Sequence, residues 1–443
     1  MDLYNLLNIL LKETGGERMD VLSISIGGFR NISSAKLDFG SITALVGLNG
    51  YGKSNIMDAI GFGLDFIKAP SNYKSMFMAS KRNIPILKTN AGKDFSFSIE
   101  AKLSLGKITY YALYEYAFSW NTDKSDALIL SESLRVKKDE KNQKYNLFIS
   151  RRGKDAQYKP SETARCNKVI KIENDALVLN KLLAIDNLYY SEIIKRLNEI
   201  QFFIERHLDA SSSYIPAPFV VRGFKELELE GIQSIPRAIF FLKKDYESQY
   251  ELLINSFKVL FPDIADVAVK EIKLNRDNSV DISDDSPFVF TDSIYSLSVV
   301  DNKLLQPLSF ESLSDGTKRI FLMLTFAAIA DVKGLSMIAI EEPENSIHPG
   351  LLQNYLDILS QLVNGCKIVV TSHSPYIIQY LNPRNVYVGL CNNNGEAEFR
   401  RIAASKVNLL LRDSAEYDRS VGDYIFNLLS GADSVEALQD YIE

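Results

Sequence analysis

Residues Gly47 to Asn55 read GLNGYGKSN, and the fold turns on how this stretch is interpreted. It fits G-x-x-x-x-G-K-[ST], in which glycines let successive backbone N–H groups converge on phosphate oxygens. Lys53 then reaches the terminal phosphates of a nucleotide, and Ser54 offers its hydroxyl to Mg²⁺. Asn49, Gly50, Gly52, Lys53, Ser54 and Asn55 are therefore the expected nucleotide contacts. A chance glycine-rich turn is the competing interpretation, and the flanks argue against it. SITALVG is an apolar strand feeding the loop, and beyond Lys53 the apolar Ile56, Ile60, Leu64 and Ile67 recur at helical spacing. Strand, loop and helix in that order predict an α/β fold whose helix N-terminus adds its dipole to the phosphate site.

Around this core the apolar period changes several times. VLSISIGGFRNIS, from Val21, alternates as a strand does, and FSFSIEAKLSL returns through a Gly106-Lys107 turn into ITYYALYEYAFSW, a hairpin signature. ESLRVKK and YNLFISR continue it, so residues 19–175 are expected to form a first lobe with an antiparallel β-subdomain. Near Ala176 the period becomes helical. Ile193, Ile194, Leu197, Phe203, Ile204 and Leu208 mark one helix, and AIFFLKKDYESQYELLINSFKVLF marks another that stops at Pro262; residues 176–265 read as a helical insertion. VAVKEIKL and SIYSLSVV are short strands. Helix, strand (SMIAIEE), helix, strand (CKIVVTS) and helix then complete a second lobe over 266–405, followed by a helical tail over 406–443. Residues 1–18 read as an amphipathic helix carrying Leu3, Leu6, Leu7, Leu10 and Leu11 and ended by Gly15-Gly16. Because Met19 sits just before the first strand, this extension is either a docking helix or a misassigned start.

The composition is that of a globular chain: 443 residues, 46% hydrophobic and 24% charged. Its longest apolar run, Ile320 to Ala330, is interrupted by Thr325 and is too short for a bilayer. The N-terminus lacks a basic n-region and an A-x-A-like cleavage site, so the expectation is a cytoplasmic protein without membrane association. Cys166, Cys366 and Cys391 form no C-x-x-C pair and predict neither a disulfide framework nor a zinc site. A net charge of -6 hides one basic stretch, Arg135 to Lys171, with twelve Lys or Arg against four acidic residues.

A phosphate cradle needs further groups before it can hydrolyse anything. SMIAIEEPENSIHP ends an apolar strand in Glu341 and Glu342, where one carboxylate can meet the Mg²⁺ shell and the next can polarise an attacking water. FESLSDGTKRIFLML places Ser314 and Gly316 directly before an apolar helix, a suitable terminus for a γ-phosphate. KIVVTSHSP puts His373 at the end of another buried strand. Each piece alone is more often structural; their order along one chain argues against coincidence.

GLNGYGKSN, LSDGT, IAIEEPENSIHP and TSHSP together resemble the ABC-type ATPase heads of the RecF/SMC class, most closely the OLD-like AAA15/AAA21 branch, over residues 19 to about 390. The resemblance implies that Lys53 and Ser54 bind Mg-ATP in cis while Ser314 and Gly316 of a second subunit close over the γ-phosphate. It implies Glu341 as the Walker B residue, Glu342 as catalytic base, His373 as switch histidine and a head-to-tail homodimer held by ATP. Arg30, in GFRN, resembles a position near the nucleotide, and His348 lies in a segment resembling the D-loop; His207, near a helix end, reads as a structural or solvated residue. Departures exist. The Walker B position usually carries Asp, Gln143 and Gln157 are only candidates for the Q-loop, and neither a long coiled coil nor a C-x-x-C hook is present. Some 70 residues follow His373, too few for a Toprim nuclease domain.

These features predict an ATPase acting as sensor or scaffold subunit of an antiviral defence system, of the PARIS, Septu or retron sort, with a separately encoded effector, a nuclease, as partner. A RecF-like clamp on duplex DNA, using the Arg135–Lys171 stretch, is the alternative. Regulation of a non-nuclease toxin is a third.

Overall fold

The computed structural model describes residues 19–121, 127–185, 187–206, 212–222, 227, 235–274, 286–363, 365–431 and 434–443. The expected N-terminal helix and His207 lie outside these residues. The chain divides into two compact units: a larger one of Gly16–Ile204, Ser336–Pro343 and Lys367–Glu443, and a smaller one of Glu205–Leu335 and Glu344–Cys366.

The larger unit begins with β1 (Asp20–Phe29), β2 (Ile32–Asp38) and β3 (Ile42–Val46), followed by α1 (Lys53–Lys68) and α2 (Ser71–Met78). The predicted hairpin is β4 (Phe95–Leu105) with β5 (Ile108–Ser119), and every second residue of β4 from Phe95 to Leu103 is buried. β6 (Leu128–Lys138), β7 (Asn146–Arg152), β8 (Asp155–Tyr158) and β9 (Lys168–Val169) extend it into an eight-stranded sheet of order β2-β1-β4-β5-β6-β7-β8-β9. Its inner face is aromatic. Phe66 stacks on Phe118 at 4.8 Å and Tyr116 at 5.1 Å, while Phe62 meets Phe95 edge-on at 5.1 Å, so α1 is anchored to the sheet by rings that bury large area.

Short helices α3 (Val178–Leu182) and α4 (Ser191–Asn198) follow. The expected continuation of helix through Phe203 and Ile204 is corrected: Phe202–Glu205 is a strand, β10. Gln201 accepts a hydrogen bond from the Met337 N–H at 3.0 Å, and the F-F-I run suits a pleated surface better than a helix.

In the smaller unit the second predicted helix is two, separated from β10 by β11 (Phe219–Val221). α5 (Ile235–Asp245) and α6 (Glu247–Leu260) are broken at Tyr246, with φ −143° and ψ 59°. No residue from Lys243 to Gln249 is buried, so nothing core-facing holds one straight helix through the junction. β12 (Ile264–Lys273), β13 (Phe288–Phe290), β14 (Ser293–Asp301) and β15 (Leu308–Ser309) follow, with β11 paired to β13 and β14 between β12 and β15. α7 (Asp315–Lys333) and α8 (Pro349–Leu362) complete this unit.

Between those helices the chain contributes β16 (Met337–Glu341) to the larger unit, and after α8 it returns as β17 (Lys367–Ser372), α9 (Pro375–Tyr380), β18 (Val386–Cys391) and β19 (Ala397–Arg401). The tail carries α10 (Val407–Glu416), α11 (Val421–Leu429) and α12 (Ser434–Leu438). The second sheet has the order β10-β16-β17-β3-β18-β19, with β16, β17, β3 and β18 mutually parallel. Parallel neighbours end together, so the segments that follow β3, β16 and β17 leave the same edge, where α/β folds hold ligands. No helix among the described residues is long and apolar enough to cross a membrane.

Candidate nucleotide site

At the C-terminal end of β3 the chain turns through Gly50 (φ 82°) and Gly52 (φ 84°) into α1. Both conformations are left-handed and favour glycine. Open space stands where a Cβ on Gly50 would be, whereas one on Gly52 would lie 2.6 Å from the Ala397 methyl carbon. The loop is therefore buttressed from behind by the β18–β19 hairpin, a pair that the motif-based reading overlooked although VYVGLC followed by an N-N-N-G turn carries its signal. No side chain caps α1 and its first turn holds no acidic residue, which leaves its N–H groups to the loop's ligand. Asn49, Gly50 and Ser54 are exposed, while Lys53 is buried.

The Lys53 ammonium folds back over the loop it follows. It donates to the Gly47 carbonyl at 2.8 Å and the Leu48 carbonyl at 2.9 Å, and lies 3.2 Å from His373 Nδ1. Burial pulls its pKa down to about 8, opposed by the charges of Glu342 and Glu341. His373 follows β17, and its Nδ1 is also 2.8 Å from the Gly47 carbonyl. The two Nδ1 contacts require opposite proton states: a protonated Nδ1 donates to Gly47, and a bare one accepts from Lys53. On the other side of the ring Nε2 lies 3.3 Å from Glu342 Oε1.

Glu342 and Glu341 owe their place to strand register. Glu341 pairs with Thr371 on β17, Thr371 pairs with Leu45 on β3, and the Glu342 N–H donates to the Thr371 carbonyl at 2.9 Å. Glu342 itself sits at φ 48°, an uncommon conformation for a side chain of this size and one that recurs where function constrains the backbone. Tertiary structure thus brings Lys53, His373 and Glu342 into one chain of contacts, with Glu341 close enough to act on the Lys53 charge.

Arg30 and Asn55 occupy the side of α1. Arg30 Nη1 donates to Asn55 Oδ1 at 2.8 Å and meets Asp58 at 2.5 Å, and its Nη2 donates to Asn83 at 3.1 Å. Asn55 in turn donates to Asn31 at 2.8 Å. This lattice fixes the β1–β2 turn to the first turns of α1. Asn31 and Asp58 escaped notice in the sequence because neither belongs to a recognisable motif.

Within the smaller unit Ser314 is the N-cap of α7, accepting from the Thr317 N–H at 3.2 Å. A Cβ on Gly316 would collide with the Ser346 carbonyl oxygen, so close backbone packing already requires glycine there. His348 caps α8, accepting from the Gly350 N–H at 3.1 Å. Of the Q-loop candidates, Gln143 lies on the β6–β7 connection and reaches Glu140 at 3.2 Å, and Gln157 is exposed on β8.

A family model described as "AAA domain, putative AbiEii toxin, Type IV TA system" matches residues 42–379, most of the chain. The chain belongs to the AAA_21 family. Its α/β fold joins a sheet with a parallel core, which carries the glycine loop, to an eight-stranded antiparallel β-subdomain. A relative from Escherichia coli, "Retron Ec83 probable ATPase", is 23% identical over 434 residues, covering 85% of this chain and 72% of that one. Among solved structures, the SMC head bound to the C-winged helix domain of ScpA is 14% identical with a TM-score of 0.43, covering 88% of this chain and 99% of that one. The SMC head domain from Thermotoga maritima is 12% identical with a TM-score of 0.38, covering 87% and 99%. In this AAA_21 protein the donor set suits a magnesium nucleotide. Lys53 is held by neutral acceptors and not by a carboxylate, the Ser54 hydroxyl is exposed, and the space over Gly50 is open.

Proposed function

We propose that this AAA_21 protein binds and hydrolyses ATP at the loop of Gly47–Asn55, that two copies close head-to-tail around the nucleotide, and that closure controls a separately encoded effector, a nuclease. The observation that carries the reading is the convergence of Lys53 and His373 on the Gly47 carbonyl, with Glu342 on the far side of the imidazole. Lys53 and the uncapped N–H groups of α1 receive the β- and γ-phosphates, exchanging two carbonyl contacts for charged oxygens, which bind an ammonium more strongly. Glu342 accepts a proton from the attacking water, and His373 holds that carboxylate through Nε2 and touches the γ-phosphate. Ser54 and Glu341 hold Mg²⁺, which neutralises phosphate charge when bound. Ser314 and Gly316 of the second copy cover the γ-phosphate, so that ATP stabilises the pair and hydrolysis releases it. The similarity to the Escherichia coli "Retron Ec83 probable ATPase" supports a retron-type ATPase reading. Isothermal titration with ATP tests the site: Lys53→Ala should abolish binding, and unchanged affinity would place the nucleotide elsewhere. Light scattering of Glu342→Gln with and without ATP tests closure; a mass that stays monomeric with ATP bound rules out the pair.

A further inference from the structure

The eight-stranded sheet ends in the strands that carry the basic stretch, twelve cations against four acids between Arg135 and Lys171. Two of the cations already have partners, one inside the fold and one at the surface. Arg151 is buried and donates to the backbone carbonyls of Glu173, Asn174, Ala176 and Gly153, and Arg135 holds Glu115 at 2.7 Å. Others surround a cavity of about 250 Å³ that shares no residue with the Lys53 site.

This cavity lies between the ends of β4 to β7 and the N-terminus of α4. Its floor is apolar. Phe148 and Tyr190 meet edge-on at 4.7 Å, and Val136 and Ile193 are buried beside them. Tyr189 stands at the mouth, 43% exposed, 5.5 Å from Phe148 and 4.9 Å from Tyr190. Lys159 does not extend into water as a lysine that only solubilises a sheet edge would; its ammonium lies 5.0 Å from the centre of the Phe148 ring and 5.8 Å from that of Tyr189. Lys138 sits 3.7 Å from Glu162, whose side chain is 73% exposed, and the other acid of the lining, Glu192, is engaged by Arg196 at 2.7 Å. The amides of Gln143 and Asn146 also line it, with Leu105, Tyr110 and Lys137.

Aromatic walls, cations at the rim and amide groups together recognise a planar ring with a negative charge beside it. The volume falls just below the roughly 300–1,000 Å³ of sites for drug-sized ligands, a size that suits a single ring system. We propose that this cavity binds one nucleobase against Tyr189 and Phe148, with the adjoining phosphate on Lys159 and Lys138. The phosphate displaces Glu162 from Lys138, a small loss because an exposed ion pair of this kind is weak. A free nucleotide and an unpaired nucleotide of a single strand offer the same chemistry.

Two measurements on the full chain test this and separate the sources. The first is fluorescence anisotropy of a short labelled oligothymidylate. The second is equilibrium dialysis of thymidine monophosphate with the Lys53→Ala chain, so that the loop of Gly47–Asn55 does not contribute. Tyr189→Ala should weaken binding about 10-fold and Lys159→Gln about 5-fold, while Tyr189→Phe, which keeps the ring, stays within about 2-fold. Lys195→Gln removes an equal charge from α4 outside the cavity and should also stay within about 2-fold. Tyr189-dependent binding of the monophosphate assigns the cavity to free nucleotides; the same dependence for the oligonucleotide alone assigns it to a strand. Absence of binding in both arms at millimolar ligand overturns the proposal. So does binding that ignores Tyr189→Ala, or a Lys195→Gln loss equal to that of Lys159→Gln, because the attraction would then be diffuse charge.

Discussion

Two groups of buried charge stand in the larger unit, and they differ in how their hydrogen bonds are satisfied. Beneath the eight-stranded sheet, Glu132 accepts from the N–H groups of Val178 at 2.7 Å and Leu179 at 2.8 Å and from the Tyr114 hydroxyl at 2.9 Å. Directly opposite it in register is Arg151, whose guanidinium is shared among four backbone carbonyls. Burial pushes the Glu132 carboxyl above the ordinary carboxylate range, opposed by those N–H groups, Tyr114 and Arg151. Everything there is matched to an internal partner, and the cluster pins the chain entering α3 to the sheet. At the edge of the parallel sheet, Lys53 is held, among the described residues, by two carbonyls and an imidazole, and Nδ1 of His373 faces an acceptor and a cation at once. A structural cluster is complete without a ligand; the proposed nucleotide site holds a cation that a phosphate suits better than its resident partners do.

That contrast can be broken at several points. Glu342→Gln should slow ATP turnover by about 10²–10⁴-fold, the range of a lost general base, in a phosphate-release assay that finds ATP binding intact; full turnover would move the base elsewhere. Glu132→Ala leaves Arg151 and the α3 N–H groups without their buried carboxylate and should cost about 3–5 kcal/mol in urea unfolding. Its folded fraction should bind ATP normally, so a specific loss of ATP affinity would erase the distinction between the clusters. Nucleotide affinity should be level below pH 8 and then fall by up to about tenfold per pH unit, because an empty-site lysine titrating near 8 must regain its proton to meet the phosphates. Proton uptake by calorimetry in buffers of different ionisation enthalpy measures this directly. The sign for folding is opposite. Native Lys53 binds fewer protons than the unfolded chain between about 8 and its ordinary 10.5, so its contribution to stability rises with pH over that window. Smallest is Ser314→Ala, which removes the α7 cap for about 1 kcal/mol; a turnover loss far beyond that stability change sharpens the case for a second role of Ser314 across a dimer.

Much of this molecule is legible in short-range pattern. The glycine loop, the apolar strand before it and the helix after it follow from one nine-residue motif and its flanks, because phosphate binding and positive φ demand particular residues in sequence. The β4–β5 hairpin follows from unbroken alternation over its two strands. Where pattern misled, neighbours decided: Phe202–Glu205 became a strand because the edge of β16 was available to it, and α5 and α6 separated where seven consecutive residues offered no anchor to the core. The sequence by itself therefore determined the glycine loop, the strand and helix that flank it and the family. Only tertiary structure decided that strand ends about 300 residues apart in the chain meet at Lys53, that Arg30 is tied to Asn55 and Asp58, and that an aromatic cavity edged with lysines opens beside α4. The reason is physical: backbone conformation is set by residues a few positions apart, whereas the surroundings of a charge are set by whatever folding brings within a few ångströms of it.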